Sequence, residues 1–394
     1  MQRRARLLLL FVATTAAACE GNNVFTGGAR DLSVAVGDGG LADGGVLGDF
    51  GPRDLATPPP STAFVYVSGY STTIARYTLD PSNGTLTPKG TTGATGSPSF
   101  LAVDPARRHL YAVDETNSKV EAYAIDPATG ALTHIGTDAL SGGTGPAYLT
   151  VDTSGKWVLV ANYGSGDVGV LPIAANGSVG APMTHHAGMN AHEVVLDATD
   201  SFAWVPCLGS NYIAEYSFAA ATGALTPPTP ATVTTPAGSG PRHLALHPTR
   251  ALAYLIEETD SMVGTYSVDG AGKLTLLQRQ SSRAAGASGT NTGAEIAVHP
   301  SGKFVYVSNR GDDDIGVFSV GADGLLTPVA HTKTGGQTPR QFSIDPSGKW
   351  LLVANQGSGD VRVFAIGATT GTLTAAGAPV AATMPSFVGV VPLP

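Results

Sequence analysis

Residues 339–377 read PRQFSIDPSGKWLLVANQGSGDVRVFAIGATTGTLTAAG, and residues 146–179 read PAYLTVDTSGKWVLVANYGSGDVGVLPIAANGSV. In each, a short apolar run is followed by a D-P-S-G-K type turn, then by a second run, WLLVAN or WVLVAN. A Gly/Asp turn leads to a third run, and in the first copy a fourth follows TTGTLT. Turn residues between short alternating runs are the mark of antiparallel hairpins. The unit recurs from Pro98, Pro146, Asn190, Pro241, Gly293 and Pro339, in steps of about 44 to 52 residues. That period fits four-stranded propeller blades.

The two ends of the repeat set the blade count. The first unit, FVYVSGYSTTIARYTLDPSNGTLT, lacks an opening strand, whereas PSFVGVV from Pro385 is an opening strand with nothing after it. Six whole blades and one split blade predict an all-β, seven-bladed propeller over residues 62–394. Closing the ring with strands from both termini removes the exposed edges of an open array.

Outside the repeat the chain has a different character. MQRRARLLLLFVATTAAAC begins with Arg3, Arg4 and Arg6, continues into an apolar run from Leu7 and ends in small residues before Cys19. Residues 1–19 are therefore expected to be a lipoprotein-type signal peptide with lipid on Cys19, or an ordinary signal peptide cut nearby. Residues 20–61 are rich in Gly, Asp, Ala and Pro with no sustained apolar period, which predicts a flexible tether. The protein is thus expected to be exported and lipid-anchored in a bacterial cell envelope, at the outer membrane or in the periplasm. The second cysteine, Cys207, would have no disulfide partner.

The whole chain carries a formal charge of −8, and loss of the three leader arginines takes it to about −11. An acidic chain without a basic stripe is a poor nucleic-acid ligand. Three histidines in metal-ligand spacing and a C-x-x-C pair are both missing, so no metal or other cofactor is expected. His185-His186 and RGDDDIGV, residues 310–317, fall in turn or interblade positions and read as solvated loops.

The chemistry is concentrated in three slots that change identity between blades. The third residue of the opening strand is Phe100, Tyr148, His192, His243, Glu295, Gln341 and Phe387 around the ring. The residue before it is Ser99, Ala147, Ala191, Arg242, Ala294, Arg340 and Ser386. The late second-strand slot holds Tyr70, Glu115, Tyr163, Leu208, Glu258, Arg310 and Gln356. In a propeller all three slots share one rim of the central channel. Counting outward from the hairpin turns sets Arg242 opposite Glu258 and Arg310 opposite Ala294. Arginines supply planar cationic donors for a carboxylate or oxyanion, and Glu and His supply acid–base groups. For Glu258 a structural ion pair, and for His243 a satisfied channel histidine, stand as alternatives.

The stretches GPRHLALHPTRALAYLIEETDSMVGTYSV, NTGAEIAVHPSGKFVYVSNRGDDDIGVF and GQTPRQFSIDPSGKWLLVANQGSGDV resemble the lactonase family of seven-bladed propellers. That family includes 6-phosphogluconolactonases and cis,cis-muconate lactonizing enzymes. The resemblance implies metal-independent opening of a sugar-type lactone, or the reverse closure. It implies His192, Arg242, Glu258 and Arg310 as the catalytic set; the rim slots themselves offer Glu115, Tyr148, His243, Glu295, Arg340 and Gln341 about a small anionic or sugar-type substrate. The chain departs from the family at Asn190, Cys207, Glu257 and Gln341. The blade also resembles a broader surface-layer propeller repeat. The alternative to an enzyme is a non-catalytic propeller that binds a glycan, peptide or protein at the same face. A monomer is expected on either reading.

Overall fold

The hairpin turns named by the sequence are held by their own side chains. Asp345 Oδ1 accepts the Trp350 N–H at 2.6 Å, and Asp152 Oδ1 accepts the N–H groups of Lys156 and Trp157, both at 2.7 Å. Asp104 and Asp197 do the same in two further blades. An Asx cap of this kind satisfies turn donors that the ladder cannot reach, and so fixes where each hairpin reverses.

These hairpins build seven antiparallel sheets in the computed structural model, which describes residues 63–229 and 231–392. The signal, Cys19 and the tether predicted for residues 1–61 lie outside the described residues. Five sheets have four strands. In the other two the outermost strand is broken into two short pieces, Leu132–His134 with Ala139–Leu140, and Ala224–Thr226 with Thr232–Thr234. Second strands such as Trp350–Asn355 are buried along their whole length, because a sheet is packed on both faces; hence they read as unbroken apolar runs.

The split blade forms as the sequence predicts. Ala63–Gly69 lies between Thr73–Leu79 and the C-terminal Pro385–Pro392, paired antiparallel with both. The closing ladder runs from Ala63↔Pro392 to Gly69↔Pro385.

Each blade is tied to the next by one aromatic side chain of its second strand. Tyr66 donates its hydroxyl to Gly130 O at 2.7 Å, Tyr306 to Gly371 O at 2.8 Å, and Trp204 its indole N–H to Gly272 O at 2.8 Å. Tyr111, Trp157 and Tyr254 make the equivalent bond, and Trp350 closes the ring on Pro81 O at 3.3 Å. The ring supplies buried area and the polar tip finds a carbonyl that would otherwise be orphaned.

The acceptor glycines are required by both backbone and space. Gly272 has φ +78°, and a Cβ there would lie 2.4 Å from the Phe202 ring. Gly272→Ala is therefore expected to destabilise the protein by about 2–4 kcal/mol, from left-handed strain and overpacking together. Gly270→Ala, with nothing within 4 Å of its Cβ, should change stability by less than about 0.5 kcal/mol. Parallel denaturant melts of the two variants check this, and equal midpoints would refute it.

Candidate active site at the channel mouth

Simple alternation along a strand sends adjacent side chains to opposite faces. Arg242 and His243 both serve the channel because the strand is bulged between them. Pro241 pairs with Glu257 and His243 with Ile256, so Arg242 is an extra residue with no partner in the ladder. The same bulge recurs at Ala147, Arg340 and Ser386. A bulge re-aims one side chain without ending the strand.

The bulge corrects three expectations of register. His192 is not in the slot of His243: Ala191 bridges Cys207 as Pro241 pairs with Glu257, so His192 takes the bulged place of Arg242, and Glu193 takes the third slot. Glu258 is not paired with Arg242; it lies one step past the Pro241–Glu257 pair, its N–H on Gly240 O at 2.6 Å. Arg310 is not opposite Ala294; Gly293 pairs with Asn309, and the Arg310 N–H donates to Thr292 O at 2.9 Å. The side chains nevertheless meet. Glu258 Oε2 lies 2.9 Å from Arg242 Nε and 2.9 Å from Arg310 Nη2. The Arg242 contact lacks hydrogen-bond alignment, so it is an electrostatic one. Arg242 Nη1 also donates to Ala294 O, and Arg310 Nη2 to Gly293 O at 3.0 Å. Both guanidinium groups are thereby anchored on the backbone of one strand, Gly293–Val298.

Burial would raise the Glu258 carboxyl, but Arg242, Arg310 and Arg340 outweigh it and hold it below the ordinary carboxylate range. Such a carboxylate orients cations well and takes protons poorly. Burial and then repulsion from Arg310 lower Arg242 to about 10, which leaves it cationic at neutral pH. Arg340 lies over the Tyr70 ring, 5.4 Å from its centroid, and the Tyr70 hydroxyl faces Glu115 Oε1 at 3.5 Å. Glu115 Oε2, Arg242 Nε and Arg310 Nε are buried without a hydrogen bond from the protein. Buried polar atoms left this way point to a ligand or water at the mouth.

Phe100, Tyr148, His192, His243, Glu295, Gln341 and Phe387 form a ring around the channel, each 6% exposed or less. One arc is aromatic: Phe100 lies 4.2 Å from Tyr148 and 4.7 Å from Phe387, centroid to centroid. The other arc is polar. Gln341 ties the wall together, its amide donating to Phe342 O at 2.8 Å and accepting the Val388 N–H at 2.7 Å. His243 Nδ1 lies 2.9 Å from Glu295 Oε1, and its Nε2 lies 3.1 Å from His192 Nδ1. Burial, then Arg242 and the other arginines, push both imidazoles well below their ordinary value, so both are neutral. The structure thus commits Tyr148, His243, Glu295 and Gln341 to the channel wall, while Glu115 and Arg340 stand with Tyr70 at the mouth.

Tyr163 and Tyr70 were given no role from sequence, although both stand in the late second-strand slot. Tyr163 packs edge-on to His192 with centroids 5.5 Å apart, and Glu258 and the three arginines act on its hydroxyl. That slot was the available signal; an aromatic at a strand end otherwise reads as core. Elsewhere, His185 and His186 are not loop residues as expected: they end the outer strand Met183–His186, where pairing with Asp167 and Val168 extends the blade, His185 half-buried and His186 exposed and facing Asp167. Asp312, in the turn before Asp314–Val320, pairs with Arg283. Cys207 is buried and its thiol is pushed up to about 12, which removes it as a nucleophile. Among the described residues no group of three or more His, Cys, Asp or Glu side chains is placed to hold a metal ion.

Comparison with known proteins converges on the same architecture. The family model described as lactonase, 7-bladed beta-propeller, matches residues 64–390. A 6-phosphogluconolactonase of Pectobacterium carotovorum is 36% identical over 254 residues, which cover 64% of this chain and 75% of that protein. The solved periplasmic gluconolactonase of Pseudomonas aeruginosa is 30% identical, with a TM-score of 0.79 over 85% of this chain and 100% of its own. A solved Lactobacillus plantarum protein is also 30% identical, with a TM-score of 0.76 over 84% and 99% of the two chains.

Proposed function

The chain belongs to the lactonase family of seven-bladed β-propellers, and from that premise we propose that it opens a sugar-type lactone by metal-independent hydrolysis at the channel mouth. The observation that carries this reading is the Arg242–Glu258–Arg310 cluster, in which one carboxylate oxygen holds two buried guanidinium groups side by side. Two fixed cationic donors suit a carbonyl oxygen that becomes an oxyanion when water adds to it. Glu258 keeps the pair aligned against their mutual repulsion. His192, neutral and beside the cluster, takes the proton of the attacking water. Arg340, Tyr70 and Glu115 are left for the hydroxyl or anionic substituents of the sugar. We further propose that residues 1–19 direct export with lipid on Cys19, that residues 20–61 tether the propeller to the envelope, and that it acts as a monomer.

The test is acid release in a pH-stat from a lactone panel that includes D-glucono-1,5-lactone with and without a 6-phosphate. Turnover well above the buffer rate is expected for at least one member, and the ratio between the two gluconolactones reads the demand for phosphate. A buffer-level rate on the whole panel, with Arg242-dependent binding of a glycan or peptide, would replace the enzyme by a non-catalytic propeller.

A further inference from the structure

Opening a lactone at the arginine cluster leaves two throat residues without a task. Glu295 and His243 come from the third slot of two successive blades, and His192 from the bulged position just before that slot in the preceding blade; each is 5% exposed or less. They form a line of contacts, Glu295 Oε1 to His243 Nδ1 at 2.9 Å and His243 Nε2 to His192 Nδ1 at 3.1 Å. Glu295 Oε1 also accepts the Ile296 N–H at 2.9 Å, and the Glu295 N–H is held by Ser308 Oγ at 2.9 Å. With its Nδ1 used by His243, the His192 ring has Nε2 left for chemistry.

Such a line admits two arrangements of protons. In the first, Glu295 is a carboxylate accepting from His243 Nδ1–H, His243 Nε2 accepts from His192 Nδ1–H, and His192 Nε2 carries a lone pair. In the second, the Glu295 carboxyl donates to His243 Nδ1, His243 Nε2–H donates to His192 Nδ1, and His192 Nε2 carries a proton. The two differ by one proton entering at His192 Nε2, and neither contains a charged imidazole.

We propose that Glu295, His243 and His192 are a proton relay in which Glu295 stores the proton that His192 removes from the attacking water. The inference rests on the lactonase reading. In the forward step a water proton passes to His192 Nε2, the His192 Nδ1 proton passes to His243 Nε2, and the His243 Nδ1 proton passes to Glu295. The water oxygen bonds to the lactone carbonyl carbon. Collapse of the tetrahedral adduct breaks the bond from that carbon to the ring oxygen, and the relay runs backwards to protonate the departing oxygen. Water and lactone give the hydroxy acid, and the relay ends as it began. Glu295 and His243 are positioning residues; of the three, His192 alone meets the substrate water.

The charges around the line explain why a lone histidine would not serve. Arg242, Arg310 and Arg340 surround His192, so an imidazolium there would be a fourth buried cation. Passing the proton on turns that cost into the neutralisation of a buried anion. Burial pushes Glu295 up to about 8, with Arg242 and the Ile296 N–H opposing it. A relay with that midpoint is matched to a working pH near neutrality. Glu258 is held by its two arginines, Glu193 accepts the Leu244 N–H, and the rings packed edge-on to the two imidazoles are Tyr163, Tyr148 and Phe100.

Nitrogen-15 NMR of the full chain with labelled histidine, titrated from pH 6 to 10, tests this without any substrate. His192 and His243, assigned from His192→Gln and His243→Gln, should exchange the Nε2–H for the Nδ1–H tautomer together, with one midpoint near 8. In Glu295→Gln the exchange should vanish. Separate titrations through the imidazolium, a single tautomer across the range, or an unchanged exchange in Glu295→Gln would each overturn the relay. Should Glu295→Gln fail to fold, the wild-type titration decides alone. On a lactone that the wild type hydrolyses, Glu295→Gln should lower kcat about 100-fold, leave KM within about twofold, and flatten the rise of kcat/KM through pH 8. Wild-type kinetics in that variant would sink the relay and leave the lactonase standing, whereas a panel with no turnover sinks the lactonase and leaves the tautomer result to judge the line itself.

Discussion

Arg242→Ala is expected to lower kcat/KM for lactone hydrolysis by about 10²–10³-fold, the effect of removing one fixed donor from a developing oxyanion. The guanidinium it removes is 3% exposed, anchored on Ala294 O and set against Glu258. It therefore needs no reorganisation when charge appears on the substrate. Arg310 still partners Glu258 in the variant, so the carboxylate is not stranded and the fold should survive. Arg242→Lys should rescue little, because a point ammonium cannot face Ala294 O, Glu258 and a substrate oxygen at once. Initial rates with kcat and KM resolved, beside a thermal melt of each variant, give the measurement. A rate within threefold of wild type would remove Arg242 from the chemistry.

His192→Ala is expected to reduce kcat by about 10²–10⁴-fold, the range for losing a positioned general base, with a small change in KM. The sign of the pH dependence follows from the neutral ring. A base must be unprotonated to work, so the wild-type rate should rise with pH until the throat has lost its proton, and the variant should lack that rise. The ring removed fills a space between Tyr163 and His243. Added imidazole should therefore restore part of the rate in His192→Ala and none in Arg242→Ala. Loss of activity in both without rescue in either would point to a packing role for His192.

How much of this was legible beforehand differs between blade and mouth. The D-P-S-G turn at Asp345 and the run WLLVAN are local chemistry, and local chemistry repeats. The orphan strand PSFVGVV then demands a partner, and FVYVSG supplies one. The rim was legible as a set of variable slots, since residues far apart in sequence share a position in the repeat. Its register was not. The bulge at Arg242 carries no glycine or proline of its own beyond Pro241, which four of the six sister blades share, so counting from the hairpin turn placed Glu258 one residue wrong. The line from Glu295 to His192 was invisible for a different reason. Its contacts run across three blades, and their meeting depends on the rotation between sheets, which no single repeat encodes. Tyr70 and Tyr163 were passed over because stacking on Arg340 and His192 is a property of facing blades.

The aromatic-to-carbonyl bonds between blades bear on where the chain could begin. Six of them reach forward by 63 to 70 residues, and the seventh, from Trp350 to Pro81, reaches back by 269. Every blade therefore has the same two neighbours and the same two attachments, whichever blade holds the termini. The wheel has no first or last member in the energetic sense. A circularly permuted chain, joined across Pro392 and Ala63 and cut instead at an outer hairpin, would keep all seven attachments, and the mouth would assemble from the same residues in a new order.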